Sequence, residues 1–124
     1  MDAKQLAREA EKKQLLQRLS QLMVEEQADQ GTFLGVPHFS VIEAAARRLG
    51  GDLSRACQER AAAEVAAGSP ATVACPDCGR EASLSTSKRP VASIDGDIQL
   101  AEAVAHCPSC RRDFFPSACR AGIR

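Results

Sequence analysis

Two Cys-x-x-Cys pairs, Cys75-Pro76-Asp77-Cys78 and Cys107-Pro108-Ser109-Cys110, constrain this chain more than any other feature. Two residues between the sulfurs let the backbone curl, so that both side chains of a pair face one point. The 28 residues separating the pairs are long enough to form strands that bring them together. Four thiolates around one point suit a metal ion in a closed tetrahedron, with no coordination position left for a substrate. We expect one structural Zn2+ held by Cys75, Cys78, Cys107 and Cys110. The alternatives for such pairs are redox-active dithiols, a [4Fe–4S] cluster and a rubredoxin-like iron site. A redox Cys-x-x-Cys normally opens a helix that follows a strand, and neither pair here has a helical sequence behind it.

The intervening sequence reads as a small sheet. Residues 91–94, then Asp95-Gly96, then residues 97–100 are expected to form a hairpin, with Asp-Gly supplying the two positive φ angles of a type I′ turn. The second strand runs on through Val104 into His106 and Cys107, and Phe114-Phe115 are expected to cover one side of the sheet. A hairpin of this size is marginal alone. Metal bound between the two pairs would supply the missing folding free energy.

The N-terminal part has a different texture. Residues 2–28 contain neither Pro nor Gly and place Leu6, Ala10, Leu15, Leu16, Leu19, Leu22 and Met23 at helical spacing. Asp2 is expected to cap this helix, and Glu9 to pair with Lys13. The apolar stripe needs a partner, because a lone amphipathic helix is marginal in water. A loop punctuated by Gly31, Gly35 and Pro37 follows. Ser40 and Glu43 then suit a capping box, with Ile42, Ala45, Ala46 and Leu49 turned inward. Gly50-Gly51 either divides the next stretch into two helices or leaves one long helix with a soft point. Leu53, Ala56, Cys57, Ala61 and Val65 are expected on its buried face, and Gly68-Ser69-Pro70 closes it. Cys57 is read as a core residue, Cys119 as an uninvolved thiol, His38 as a surface residue and His106 as a neighbour of the metal ligands.

Composition limits the functional classes. Four Phe and no Trp or Tyr give a modest core, for which a metal would compensate. Formal net charge is zero, with 16 basic and 16 acidic side chains, so the chain carries no strong footprint for nucleic acid. No Ser/His/Asp grouping and no Gly-rich phosphate loop is present, so catalysis and a small-molecule substrate are not expected. The N-terminus opens on charged residues, and no apolar run approaches the roughly 20 residues of a membrane span. A cytoplasmic location is expected, in which paired cysteines read as metal sites rather than disulfides. Lys88, Arg89, Arg111 and Arg112 are the residues that would touch phosphate if the ribbon binds nucleic acid; ordinary solvated charge is the plainer reading.

Arg89-Pro90-Val91, the run from Ile94 to Leu100, His106-Cys107-Pro108-Ser109-Cys110 and Phe114-Phe115-Pro116 together resemble the N-terminal region of bacterial insertion-sequence transposases of the Kra type. The resemblance covers residues 39–124 and is specific over 75–116. It implies a DNA-binding or assembly module upstream of a separate RNase H-like nuclease domain. That domain is not expected within these 124 residues, so cutting or joining DNA is not expected of the chain itself. The sequence departs from the family's basic and aromatic pattern at Glu102-Ala103-Val104-Ala105, and Arg111 stands where a Gly would follow the last Cys.

The fold expected is α+β: two or three N-terminal helices over residues 1–69, then a small β zinc ribbon over 70–124. The functions expected are a transposase-like DNA-binding or assembly module or, alternatively, a protein-interaction or dimerisation module. In the second, the N-terminal helix would seat a second copy or another protein through Leu15, Leu19, Leu22 and Met23.

Overall fold

The computed structural model of the chain describes residues 1–116; Cys119 and Arg120 lie outside the described residues. Two helices, α1 (Ala3–Asp29) and α2 (Phe39–Ala67), precede four strands, β1 (Thr72–Ala74), β2 (Glu81–Ser93), β3 (Gly96–Cys107) and β4 (Arg112–Phe114). The strands form one antiparallel sheet in the order β1-β2-β3-β4. The architecture is therefore α+β, helices first and a small sheet after them.

Asp2 starts α1 as expected. Its Oδ1 accepts the Gln5 backbone N–H at 2.8 Å, and its own N–H reaches Gln5 Oε1 at 2.9 Å, a reciprocal capping box. Glu9 pairs with Lys12 at 3.2 Å, one residue short of the expected Lys13. The start of α2 also differs from expectation. The helix begins two residues earlier, so His38 rather than Ser40 occupies the cap, and its Nδ1 accepts the Ser40 backbone N–H at 3.1 Å. An imidazole nitrogen satisfies the same orphan donor that a Ser hydroxyl would.

The two glycines do not break α2. At Gly51 an added Cβ would lie 3.4 Å from Arg55 Nη1 and 3.9 Å from the Asp95 carbonyl oxygen. Both are ordinary contact distances, so the tip of the β2–β3 hairpin lies directly against the helix at this point. The face that meets the hairpin is not the expected apolar one. Ser54 donates to the Asp95 carboxylate, Arg55 Nη1 donates to the Asp95 carbonyl at 2.7 Å, and Gln58 reaches Ser93 Oγ at 3.3 Å. Cys57 is exposed, as are Leu53 and Val65. A hairpin tip presents unpaired backbone groups and a carboxylate, so the helix face that satisfies them is polar.

These contacts explain where the chain divides. The compact units are Met1–Gly50 and Gly51–Arg124, so the second half of α2 groups with the sheet. Within the first unit Ala45 and Gln27 are buried and Leu19, Met23 and Leu49 are half-buried, whereas Ile42 and Ala46 stay exposed.

The hairpin is longer than expected, pairing Ser83 with His106 at one end and Ser93 with Gly96 at the other. Its loop is Ile94-Asp95, one residue earlier than expected. Only Gly96 there has positive φ, at 115°, which excludes the type I′ turn and its two positive angles. Pro90, lacking an N–H, sits opposite Gln99. The Gln99 N–H points away from β2 and is taken by Glu59 Oε2 at 2.8 Å. That pair is thus a non-bonded step of the ladder, the position where a strand tolerates Pro. The core sits at the opposite end of the sheet, where Cys75, Ala82, Ala105, Cys107 and Phe114 pack with Val73, Leu84 and Cys110.

Candidate metal centre

The core and the cysteines are one object. β1 ends at Ala74 and delivers Cys75; β3 ends on Cys107; β4 starts at Arg112, just after Cys110. Each pair closes a tight turn of the same form. Gly79 N–H bonds the Cys75 carbonyl at 2.9 Å with Gly79 at φ 76°, and Arg111 N–H bonds the Cys107 carbonyl at 2.7 Å with Arg111 at φ 55°. In the second turn the Cys110 N–H also points at Cys107 Sγ, 3.4 Å away. The two turns thus share a left-handed fifth residue, which glycine fills in one and arginine in the other.

The four sulfurs converge. Cys75 Sγ lies 3.8 Å from Cys110 Sγ, Cys78 Sγ lies 3.5 Å from Cys107 Sγ, and all four ligand atoms fall within 4.8 Å of one another. A disulfide needs about 2.05 Å, so these are four thiols. Sulfurs about 2.3 Å from a tetrahedral ion sit about 3.8 Å from each other. The cluster therefore has the donor chemistry and the spacing to hold a metal ion. A cubane cluster interposes four irons between its thiolates and spreads them wider than a single ion does. Cys75 and Cys107 are buried, Cys110 is half-buried and Cys78 is exposed, so the fourth corner lies at the surface.

The thiols also differ in acidity. The Cys78 backbone N–H, with help from neighbouring sulfurs, holds Cys75 below its ordinary value, although burial opposes this. Hydrogen bonds to the sulfurs of Cys78 and Cys75, and then burial, push Cys110 up to about 12. Without a metal, the site thus makes the Cys75 corner more acidic and the Cys110 corner less acidic than an ordinary thiol.

The basic residues do not gather. Arg89 is bonded to the Glu102 carboxylate, which raises the guanidinium pKa, and its guanidinium carbon lies 5.6 Å from the Phe115 ring centroid. Arg112 forms an ion pair with Asp77, a residue of the first cysteine turn. Lys88 pairs across the sheet with Ala101 and Arg112 with Cys107, and the distance between those positions along β3 is about 20 Å. The structure thus brings the four cysteines together and leaves the basic residues as two adjacent pairs about 20 Å apart along β3, with one member of each, Arg89 and Arg112, already paired. The Arg112–Asp77 link between the two cysteine turns is invisible in sequence, because nothing local connects the partners. His106 is likewise paired, its Nδ1 2.8 Å from Asp113 Oδ1 across the β3–β4 ladder. No helix among the described residues is long and apolar enough to cross a membrane.

Comparisons with protein-family models, with curated proteins and with solved structures find no match to this chain.

Proposed function

We propose that this chain is a structural zinc-binding module in which one Zn2+ staples the two cysteine turns and the ribbon serves assembly rather than catalysis. The observation that carries the reading is the four-sulfur cluster, with every ligand atom within 4.8 Å of the others. An all-thiolate set selects soft or borderline ions, and zinc is the redox-silent one that favours this tetrahedral geometry. Four protein ligands fill the tetrahedron, so the metal would fold the ribbon and activate no water. Cys107→Ser, at the buried corner, is expected to abolish stoichiometric zinc retention. Retention of one zinc by that variant would overturn the assignment.

The resemblance to Kra-type transposases adds DNA as a possible partner of such a module. What supports contact with phosphate is confined to Lys88 and Arg111, because Arg89 and Arg112 are paired with carboxylates of the same chain. Two phosphate contacts give a slope of log affinity on log salt of about −2. We expect any binding to duplex DNA, followed by fluorescence anisotropy, to be weak and no steeper than that. A steep slope would move the function to nucleic acid.

A further inference from the structure

The helix α1 carries apolar side chains that are exposed among the described residues, and a charge pattern that specifies what could cover them. Leu15 is 56% exposed, Leu16 53% and Leu22 43%, although the helix is uninterrupted from Ala3 to Asp29. Leu15 and Leu22 are seven residues apart and so lie on one line along the helix. The charges on either side of them are segregated. Residues 3–18 carry Lys4, Arg8, Lys12, Lys13 and Arg18 against Glu9 and Glu11; residues 19–29 carry Glu25, Glu26 and Asp29 and no basic residue. The first turn of the helix has no acidic residue and the last turn no basic one.

Apart from the capping Asp2, this arrangement runs against the helix's own dipole, which favours acidic groups at the N-terminus and basic groups at the C-terminus. Within the helix the charges find only exposed pairs, Lys12 with Glu9 at 3.2 Å and Arg18 with Glu25 at 3.9 Å, which contribute little. A second helix of the same sequence laid antiparallel reverses the situation. Its acidic half faces the basic half of the first, and the two dipoles oppose one another favourably. In the register that sets Leu15 beside Leu22 of the other copy, Arg8 meets Asp29 and Lys12 meets Glu25, and two-fold symmetry repeats each contact. A parallel pair would set basic against basic and acidic against acidic.

We propose that α1 docks on α1 of a second copy of this chain, antiparallel, with Leu15 and Leu22 in the seam and the basic and acidic halves exchanged across it. This names the partner for the assembly role proposed above and rests on that reading, while the surface itself contains no metal ligand.

The test uses the full chain loaded with zinc, with mass in solution measured by sedimentation over a dilution series, and zinc content and helical circular dichroism recorded on the same samples. The wild-type chain is expected to be a dimer. Leu15→Asp with Leu22→Asp, both at exposed positions, is expected to give a helical, zinc-bound monomer. Arg8→Glu with Lys12→Glu is expected to raise the dimer Kd by about tenfold or more, because like charges then face each other. Adding Glu25→Lys and Asp29→Lys to that variant is expected to restore the dimer. A zinc-bound wild-type monomer, or a dimer indifferent to the Leu15 and Leu22 changes, would overturn the interface and leave the zinc assignment standing. A reversal that the four-residue swap does not rescue would overturn the antiparallel arrangement. Loss of zinc from wild-type protein that remains dimeric would overturn the metal reading and leave this interface in place.

Discussion

Arg111 holds a left-handed backbone at φ 55°, the one non-glycine among the described residues to do so, while its counterpart Gly79 takes φ 76° at no steric cost. The conformation is required because the N–H of this fifth residue must turn back to the carbonyl of the first Cys. An L side chain in that region costs about 1–2 kcal/mol, part of which glycine loses again to its greater freedom when unfolded. Arg111→Gly is therefore expected to stabilise the metal-bound fold by about 0.5–1 kcal/mol in denaturant unfolding. Gly79→Ala is expected to destabilise it by about 1 kcal/mol or more, an effect of backbone strain alone, since an added Cβ meets nothing within 4 Å. Equal stabilities for both variants and the parent would mean that the two turns do not share this geometry. The cysteine spacing alone announced that the turns exist; the strain at Arg111 was visible only as a missing Gly.

At the scale of elements, the hairpin and the second half of α2 hold each other through polar contacts at the tip. The central position is Gly96, whose φ is 115° and where an added Cβ would lie 3.2 Å from Arg55 Nη1 and 3.4 Å from its Cδ. Gly96→Ala is expected to cost about 1–3 kcal/mol through strain and displacement of Arg55. Hydrogen exchange should show the loss at the hairpin tip and adjoining helix, with the cysteine end of the sheet unaffected. Uniform loss across the unit would contradict a local latch. This part of the fold was the least legible in sequence. Periodicity pointed to Leu53, Cys57 and Val65 as the buried face of α2, but apolar spacing cannot register a partner that offers carbonyls and a carboxylate. The turn was misplaced by one residue for a related reason: Asp-Gly is a strong turn signal, but Ser93 Oγ, bonded to the Gly96 carbonyl at 2.6 Å, draws the loop onto residues 94 and 95. The strands themselves were legible, because alternation and the positions of the cysteines both mark them.

Taken whole, the molecule buries few large apolar side chains among its described residues. The buried set is mostly Ala and Cys, with Phe114 its one ring, so the sheet is held at its cysteine end by small side chains and four sulfurs. On the proposed metal reading, the folding free energy of the ribbon is largely that of binding the metal, and it depends on pH through the thiols. Cys110 is pushed up to about 12, above its ordinary 9.0, so in the metal-free chain its protonated form contributes stability that is present below 9 and lost as pH rises through about 12. A metal must displace that proton. Metal uptake near neutral pH is expected to release protons, and affinity is expected to fall as pH is lowered, with both read by calorimetry in buffers of different ionisation enthalpy. Uptake without proton release would contradict thiolate ligation.

The most direct test of the account is metal content by mass spectrometry on protein purified without added metal, followed by chelation under circular dichroism. The account predicts one zinc per chain and loss of the ribbon's strand signal, with the α1 helix signal retained, when the zinc is removed. Protein without metal, protein carrying coloured iron, or a ribbon that survives complete chelation would contradict it.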